Sequence, residues 1–401
     1  MSKTDWRAGA KDLMPMVVAL RREIHRHPER GLHLPETTKK ARAALEGLDV
    51  QIADGPSTSG MMVTLRGSQQ GPTILLRGDM DALPMPEDTG LDFASEVENT
   101  MHACGHDAHT AMLVGAVHLL HRHRDSLNGT VKFMFQPGEE GFHGARYMIE
   151  DGLLDATPKP QAAFAIHISP NIPSGVIACR PGPMMAASDK IEIAITGKGG
   201  HASQPHLTLD PVPAACETVL ALQSFATRRT DAFDPIILSI SQISAGTAIN
   251  VVPERAELKG TLRSFSEKSR EFARAGILRI AEGVAKTHGL DAQVELEAGY
   301  PVTRNDPDFV GFARGVAQDL LGSGGYLEMT APLMGAEDFS YVLQKMPGCM
   351  MFLGVAPDGV DHHHAHACHS NRMMLNEDAM ANGVALHAAV ADAFLRGGLP
   401  V

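Results

Sequence analysis

The sequence feature that most constrains the fold is an alternation of short apolar runs with helix-like segments in the first part of the chain. Four runs have the length of a strand and are bounded by Gly or Pro: GMMVTLRG, PTILLRGDMDAL, GTVKFMFQP and AAFAIHI. Helical spacing of apolar residues appears between them, as in HDAHTAMLVGAVHLLHRHRDSL. This order predicts an α/β fold with a mixed, mostly parallel sheet that carries helices on both faces.

The pattern changes between residues 188 and 300. SDKIEIAITG alternates apolar and polar residues with the period of a half-buried strand, and PIILSISQIS, RAELKGTLRSF and AQVELEAGY are further strand candidates. Helical segments are expected over 210–227 and 267–288, the second with Ser266 as its N-cap and Gly289 as its end. The order βαββαβ predicts a small α+β domain of the ferredoxin-like type.

The chain of 401 residues is long for a single hydrophobic core, which favours two domains. Helix and strand alternation resumes after residue 300, so we interpret the βαββαβ segment as an insertion. The prediction is a discontinuous first domain, 1–187 and 301–401, interrupted by a second domain, 188–300.

Charge and cysteine content exclude several classes of function. Acidic residues outnumber basic ones 47 to 35, for a formal charge of −12, which argues against a nucleic-acid partner and favours a small molecule. The N-terminal stretch has no secretory signal pattern, and no run approaches the about 18 apolar residues that span a membrane. The five cysteines show no spacing typical of disulfide pairs, which suits a reducing compartment. We therefore expect a cytoplasmic protein with no membrane partner.

Reactive side chains follow several of the predicted strands. Ligands of open α/β sheets bind beyond the carboxyl ends of the strands. The stretches that lead there carry Asp79 and Asp81, Glu139 and Glu140, and His167, while Cys104 and His106 lie in a loop before a helix. Each stretch alone could be only a turn or a helix cap, but their convergence indicates a functional site.

Neighbouring polar residues have simpler interpretations. A short carboxylate before an apolar helical run commonly caps the helix, so we expect Asp107 to be an N-cap. The remaining histidines are interpreted as surface or satisfied polar residues, and the His-rich run as a solvated loop: His102, His109, His118, His121, His123 and 362–364.

The residue types that remain favour a divalent metal site. Thiolate, imidazole and carboxylate together suit zinc-like ions, and a set of more than four ligands with carboxylates suggests two ions. Adjacent Glu139 and Glu140 allow one carboxylate to bind metal while the other transfers a proton. The alternative is that Cys104 is a nucleophile activated by a histidine.

Seven motifs resemble the M20 metallopeptidase superfamily: RREIHRHPE, LRGDMDALP, MHACGHDAHTAML, FQPGEEGFHGARYMI, GKGGHAS, GTAINVVPERAELKGTLRSF and GAEDFSYV. The closer similarity is to its D branch, which includes hippurate hydrolase, N-acyl-amino-acid amidohydrolases and auxin-conjugate hydrolases. The resemblance covers nearly the whole chain. It implies that the first domain is a metal-binding catalytic domain and that 188–300 is a lid and dimerisation domain.

The resemblance also implies roles for individual residues. Two divalent ions, Mn, Zn, Co or Ni, would be bound by five ligands: Cys104, His106, Glu140, His167 and His369, the last chosen over His366. Glu139 would be the general base and acid, and Asp81 would orient a ligand. His201, Asn250 and Arg263 of the lid would bind the substrate. One departure is Asp79, which stands where many members of the superfamily have a histidine.

The resulting expectation is a metal-dependent amidohydrolase that acts on linear amides, here N-acyl or N-aroyl amino acids of the hippurate type. A metal-activated hydroxide would attack the acyl carbon, with Glu139 carrying the proton, in a homodimer joined through the lid. The alternatives are a dipeptidase or carboxypeptidase of the same superfamily and a metal-dependent binding protein without catalysis. The acyl group, the amino acid and the bridging ligand stay open.

Overall fold

The computed structural model describes residues 4–398, which divide into two compact units. One unit comprises 4–184, Arg304–Ala331 and 341–398, and the other comprises Met185–Thr303 and Pro332–Ser340. The position of Pro332–Ser340 in the second unit corrects our prediction, which assigned all residues after 300 to the first domain. Pro332–Ser340 joins the second unit because the Ala186 amide donates hydrogen bonds to the carbonyls of Leu333 and Gly335, at 3.1 and 2.8 Å.

The first unit begins with two helices and continues with the predicted strands. Its elements up to the second unit are α1 (Trp6–Arg26), α2 (Pro35–Ala43), β1 (Gln51–Asp54), β2 (Met61–Arg66), β3 (Gln69–Asp79), α3 (His106–Arg122), β4 (Asn128–Gln136), α4 (Gly144–Glu150), β5 (Ala162–Ser169), β6 (Ile177–Cys179) and β7 (Gly182–Met185), the last ending at the boundary.

The second unit has the predicted βαββαβ order. Its elements are β8 (Ala187–Thr196), β9 (Gly200–His201), α5 (Pro211–Arg228), β10 (Ile236–Ala245), β11 (Val251–Val252), β12 (Arg255–Ser264), α6 (Glu267–Thr287) and β13 (Asp291–Ala298). The main sheet has the order β10-β12-β8-β13 with antiparallel neighbours, which is the ferredoxin-like arrangement. The Ser266 side chain accepts from the Ser269 amide, and Gly289 has φ 71°, so the predicted cap and end of α6 are confirmed.

The chain then returns to the first unit. Its elements are β14 (Thr303–Asn305), α7 (Pro307–Leu321), β15 (Tyr326–Glu328), α8 (Ser340–Leu343), β16 (Gly348–Gly354) and α9 (Met380–Gly397). β14 pairs with β7, and both β14 and α8 begin with a residue of the second unit.

A large mixed sheet organises the first unit. Within the described residues it has eight strands in the order β1-β2-β4-β3-β5-β16-β6-β15, and the neighbours β4, β3, β5 and β16 are parallel. The central strands read as continuous apolar runs because they are almost entirely buried. The predicted α/β class is therefore confirmed, and the four central strands share one carboxyl edge.

The core of the first unit contains side chains from helices α1, α3 and α9 together with the central strands. Helix α3 is buried on nearly all sides, so the packing around it fixes the position of its first turn, which directly follows the loop with Cys104. Among the described residues, no helix is both long enough and apolar enough to cross a membrane.

Candidate metal centre

The five predicted metal ligands lie together at the carboxyl edge of the central strands. His167 is near the end of β5, Glu140 follows β4, and Cys104 and His106 flank the start of α3, while His369 lies in the segment after β16. Cys104, His106 and His167 form one group of donor atoms within 4.8 Å of one another, and Cys104, Glu140 and His369 form a second. Cys104 belongs to both groups.

Gly105 allows Cys104 and His106 to face the same space. It has φ 78°, a left-handed conformation that suits glycine, and an added Cβ would lie 2.5 Å from Cγ1 of Ile168. The loop therefore approaches β5 closely, and the Cys104 Sγ lies 3.4 Å from Nε2 of His167.

A hydrogen bond orients the imidazole of His167, and a carboxylate contact lies beside that of His106. His167 Nδ1 lies 2.7 Å from the Ile168 carbonyl, so this nitrogen donates and the Nε2 lone pair faces Cys104. Burial and the neighbouring His109 hold the pKa of His167 well below its usual range, which keeps the ring neutral. His106 Nδ1 lies 3.4 Å from Oδ1 of Asp81, an arrangement common behind metal-bound imidazoles.

Asp81 positions both glutamates through their backbones. Its Oδ1 accepts from the Glu139 amide and its Oδ2 from the Glu140 amide, each at 2.9 Å. The loop that carries them closes at Gly144, where an added Cβ would lie 1.6 Å from the Pro137 carbonyl oxygen. The carboxylates of Glu139 and Glu140 each come within 4.0 Å of His106 Nε2.

The centre concentrates negative charge around His106. Burial lowers the pKa of His106, but Asp79, Asp81 and Glu140 outweigh it and raise the pKa to about 10. Among the described residues, the buried Nε2 of His106 has no hydrogen-bond partner. A buried imidazole nitrogen without a hydrogen-bond partner, among carboxylates and a thiol, fits a site where a divalent cation would replace the proton, and the donor set suits Zn or Mn.

Asp79 lies beside the centre and is paired with a guanidinium and an imidazole. Its Oδ1 lies 2.5 Å from Nδ1 of His109, and its Oδ2 lies 2.6 Å from the Arg77 guanidinium. Burial raises the pKa of Asp79, but the nearby cation and imidazoles hold it well below the usual range. Asp79, the residue that departs from the superfamily pattern, is thus paired with Arg77 and His109.

His109 is a residue whose importance the sequence did not reveal. We expected a bystander, but its ring is buried and joins three elements. The Ile168 amide donates to Nε2 at 2.8 Å, so the other nitrogen, Nδ1, carries the proton that is donated to Asp79. His109 on α3 therefore connects the ends of β3 and β5 next to the predicted metal ligands.

The expectation that Asp107 caps α3 is wrong. The N-cap is Gly105, with no side-chain hydrogen bond, and Asp107 lies inside the first turn. Its Oδ2 accepts from Arg21 Nε at 2.9 Å and from His25 Nδ1 at 2.7 Å, all three residues being buried. Arg21 and His25 are four residues apart and thus on one face of α1, but that spacing does not identify Asp107 as their partner.

The environment of Cys104 does not favour the cysteine-nucleophile alternative. A hydrogen bond with Cys368 and burial raise the pKa of the Cys104 thiol well above its usual range, and His167 beside it is held neutral. A nucleophilic cysteine requires a lowered thiol pKa, which is the opposite shift.

The three predicted substrate-binding residues lie in the second unit. His201 in β9 and Asn250 are close, since the Ala202 amide donates to the Asn250 carbonyl at 3.0 Å and β9 pairs with β11. Arg263 lies in β12, half-buried, and burial lowers its pKa. Within the described chain no hydrogen bond joins Arg263 to His201 or Asn250.

Residues 75–393 match the family model described as peptidase family M20/M25/M40. The chain belongs to this family. The predicted resemblance is confirmed, as is the assignment as a metal-dependent amide hydrolase.

Relatives within the M20 family act on different amides. The chain is 40% identical to a Bacillus subtilis N-acetylcysteine deacetylase over 87% of this chain and 90% of the relative. It is 38% identical to thermostable carboxypeptidase 1 of Saccharolobus solfataricus over 96% of both chains. The crystal structure of the Bacillus subtilis YXEP protein, a dinuclear metal binding peptidase from the M20 family, superposes with a TM-score of 0.83 at 35% identity, covering 96% of this chain and 99% of that one.

We expect Asp107→Ala to destabilise the first unit by about 3 kcal/mol or more, because it leaves buried Arg21 and His25 without their shared carboxylate. Denaturant unfolding followed by the fluorescence of the single tryptophan, Trp6 in α1, measures this loss. The control is Asp306→Ala, which removes an N-cap of α7 in the same unit and should cost only about 1 kcal/mol. Equal losses in the two variants would contradict the buried-pair role.

We expect His25 to make stability depend on pH. Burial lowers its pKa, but Asp107 and Glu87 outweigh burial and the neighbouring Arg21, so the pKa rises to about 9. The stabilisation is therefore complete below about pH 6.5 and is lost as pH rises through about 9. The difference in unfolding free energy between wild type and His25→Gln should shrink by about 3 kcal/mol between pH 6 and pH 10. A difference that does not change with pH would contradict this.

Proposed function

We propose that this protein hydrolyses the amide bond of N-acyl or N-aroyl amino acids and releases a carboxylic acid and a free amino acid. The observation that carries the proposal is the position of the Glu139 carboxylate beside a cluster of five metal-type donors, with its backbone held by Asp81. A binding protein has no use for a second carboxylate next to its ligands. Similarity to an N-acetylcysteine deacetylase supports an N-acyl amino acid as the substrate class.

Cys104, His106, Glu140, His167 and His369 would hold two divalent ions, Mn, Zn, Co or Ni. The dinuclear centre of the similar YXEP protein supports this number. The sulfur of Cys104 belongs to both donor groups described above, so it would lie beside the proposed ligands of either ion. When bound, the ions polarise the scissile carbonyl and make water acidic enough to supply hydroxide near neutral pH.

Glu139 moves the proton in this proposal. Its carboxylate takes a proton from the attacking water and donates it to the leaving amide nitrogen, so that the acyl carbon gains oxygen as the C–N bond breaks. Asp81 contributes by fixing the backbone of Glu139 and the ring of His106, through the contacts at 2.9 and 3.4 Å. Precise placement of a general base is worth much of its catalytic effect.

The second unit would supply recognition of the substrate. Arg263 has a half-buried guanidinium whose pKa is lowered by burial alone, which suits the capture of a substrate carboxylate. The Ser203 amide donates to Nδ1 of His201, so Nε2 carries a proton that can be donated to an oxyanion, with Asn250 nearby.

The proposal includes a homodimeric state and a cytoplasmic location for this protein. Large apolar side chains are exposed in the second unit, including Leu220 at 71%, Phe233 at 98% and Ile249 at 103%, which supports a homodimer formed through this unit. All five cysteines are free, which supports the cytoplasm.

A dipeptidase or carboxypeptidase is the second candidate. The specific observation in its favour is the 38% identity to a thermostable carboxypeptidase. Arg263 could bind the terminal carboxylate of a peptide just as well as that of an acyl amino acid. The two functions differ in the group on the acyl side of the scissile amide. A dipeptide has a charged α-amine there, whereas an N-acyl amino acid has a neutral acyl group.

Replacement of Glu139 should separate catalysis from metal binding. Glu139→Gln keeps the size of the side chain but removes the base, so turnover should fall by about a factor of 10³ while the metal content stays at the wild-type level. Glu140→Gln is the matched control in the adjacent position, and it should lose bound metal. Elemental analysis and initial rates on metal-reconstituted protein measure both effects. Substantial residual turnover in Glu139→Gln would contradict the assigned role.

A substrate panel tests the reaction itself. N-acetyl and N-benzoyl amino acids should be cleaved with kcat/KM at least about tenfold higher than a dipeptide of the same C-terminal residue, because burial of an unpaired α-ammonium is costly. Arg263→Ala should lower kcat/KM for these acids but leave unchanged the rate with the corresponding C-terminal amide. Faster cleavage of the dipeptide would favour the peptidase instead.

A further inference from the structure

A cluster of imidazoles surrounds one carboxylate in the loop DHHHAH, which follows β16 and precedes Cys368 and His369. His362 Nδ1 lies 3.4 Å from Oδ1 of Asp361, and His364 Nδ1 lies 3.2 Å from Oδ2. The ring centroids of His362 and His363 are only 3.9 Å apart. One donor atom each from Asp361, His362 and His363 lies within 4.8 Å of the other two.

The backbone of this loop is fixed by hydrogen bonds, although the side chains of Asp361, His363 and His364 are exposed. Asp361 Oδ1 accepts from the His363 amide at 3.1 Å, and the Asp361 carbonyl accepts from the His364 amide at 2.8 Å. The side-chain amide of Asn171 donates to the carbonyls of His362 and Ala365, at 3.1 and 3.0 Å. A loop that is already ordered loses little conformational entropy when its side chains gather around a ligand.

We propose that Asp361, His362 and His363 form an accessory site for one divalent transition-metal ion, with His364 as a further donor. Imidazoles with one carboxylate favour zinc-like ions and Ni²⁺ over Mg²⁺ or Ca²⁺, which prefer oxygen ligands. Zinc–nitrogen bonds of about 2.1 Å at tetrahedral angles separate donor atoms by about 3.4 Å. His362 Nδ1 and Asp361 Oδ1 already have this separation, at 3.4 Å.

This site is separate from the candidate metal centre and goes beyond the proposed function. None of its donors belongs to the two groups that contain Cys104, and the His364 side chain is 82% exposed, whereas that of His362 is half-buried. Four residues separate His364 from His369, so the accessory ion would be bound next to the segment that leads into the centre.

Zinc binding by the whole protein tests the proposal. Equilibrium dialysis against free Zn²⁺, followed by elemental analysis, should find one more ion per chain in wild type than in His362→Ala/His363→Ala. Asp361→Asn keeps the oxygen that accepts from the His363 amide but removes the charge, so the loop is preserved and affinity for the extra ion should fall at least about tenfold. These variants leave the residues of the metal centre intact, so the other bound ions should be retained.

The control is His33→Ala, which removes an exposed histidine of the first unit and should keep the extra ion. The proposal is overturned if wild type binds no more Zn²⁺ than the double variant. It is also overturned if Asp361→Asn retains the extra ion with wild-type affinity, or if His33→Ala loses it, since the binding would then not depend on this cluster.

Discussion

The carboxylate of Asp81 is the interaction on which the candidate metal centre depends. It lies just after β3, accepts from the amides of Glu139 and Glu140 beyond β4, and faces the ring of His106 at the start of α3. One buried carboxylate therefore connects three separate segments of the chain. The glutamates are positioned through their backbones, and both carboxylates come within 4.0 Å of His106 Nε2.

The buried carboxylates around the candidate metal centre differ in how their charges are balanced. Buried carboxylates without counterions are costly, and the first unit pairs them in two ways. Asp79 is paired with Arg77 and His109, and Asp107 with Arg21 and His25, whereas Glu139 and Glu140 have chiefly imidazoles near them. The carboxylates of Glu139 and Glu140 face the metal-type donors. A divalent ion held by the proposed ligands would add positive charge beside them.

Much of this could be predicted from sequence because it depends on local patterns. Strand runs bounded by Gly or Pro, the period of two in β8 and the Ser266 cap all follow from backbone chemistry, and the ferredoxin-like order follows from them. Asp107 could not be predicted, because its partners lie on another helix more than eighty residues away. The roles of Cys104 and His369 rested on resemblance and stay predictions, although their donor atoms lie in one group.

By itself the sequence determined which residue types would reach the carboxyl edge of the sheet, since strand length and the position after each strand are local properties. Only the tertiary structure decided which of those residues are neighbours. His109 and His106 differ by three positions in one helix, yet one is held by Asp79 and the Ile168 amide while the other faces the glutamates. That difference arises from strand order and loop closure, because contacts between distant segments depend on how the sheet is assembled.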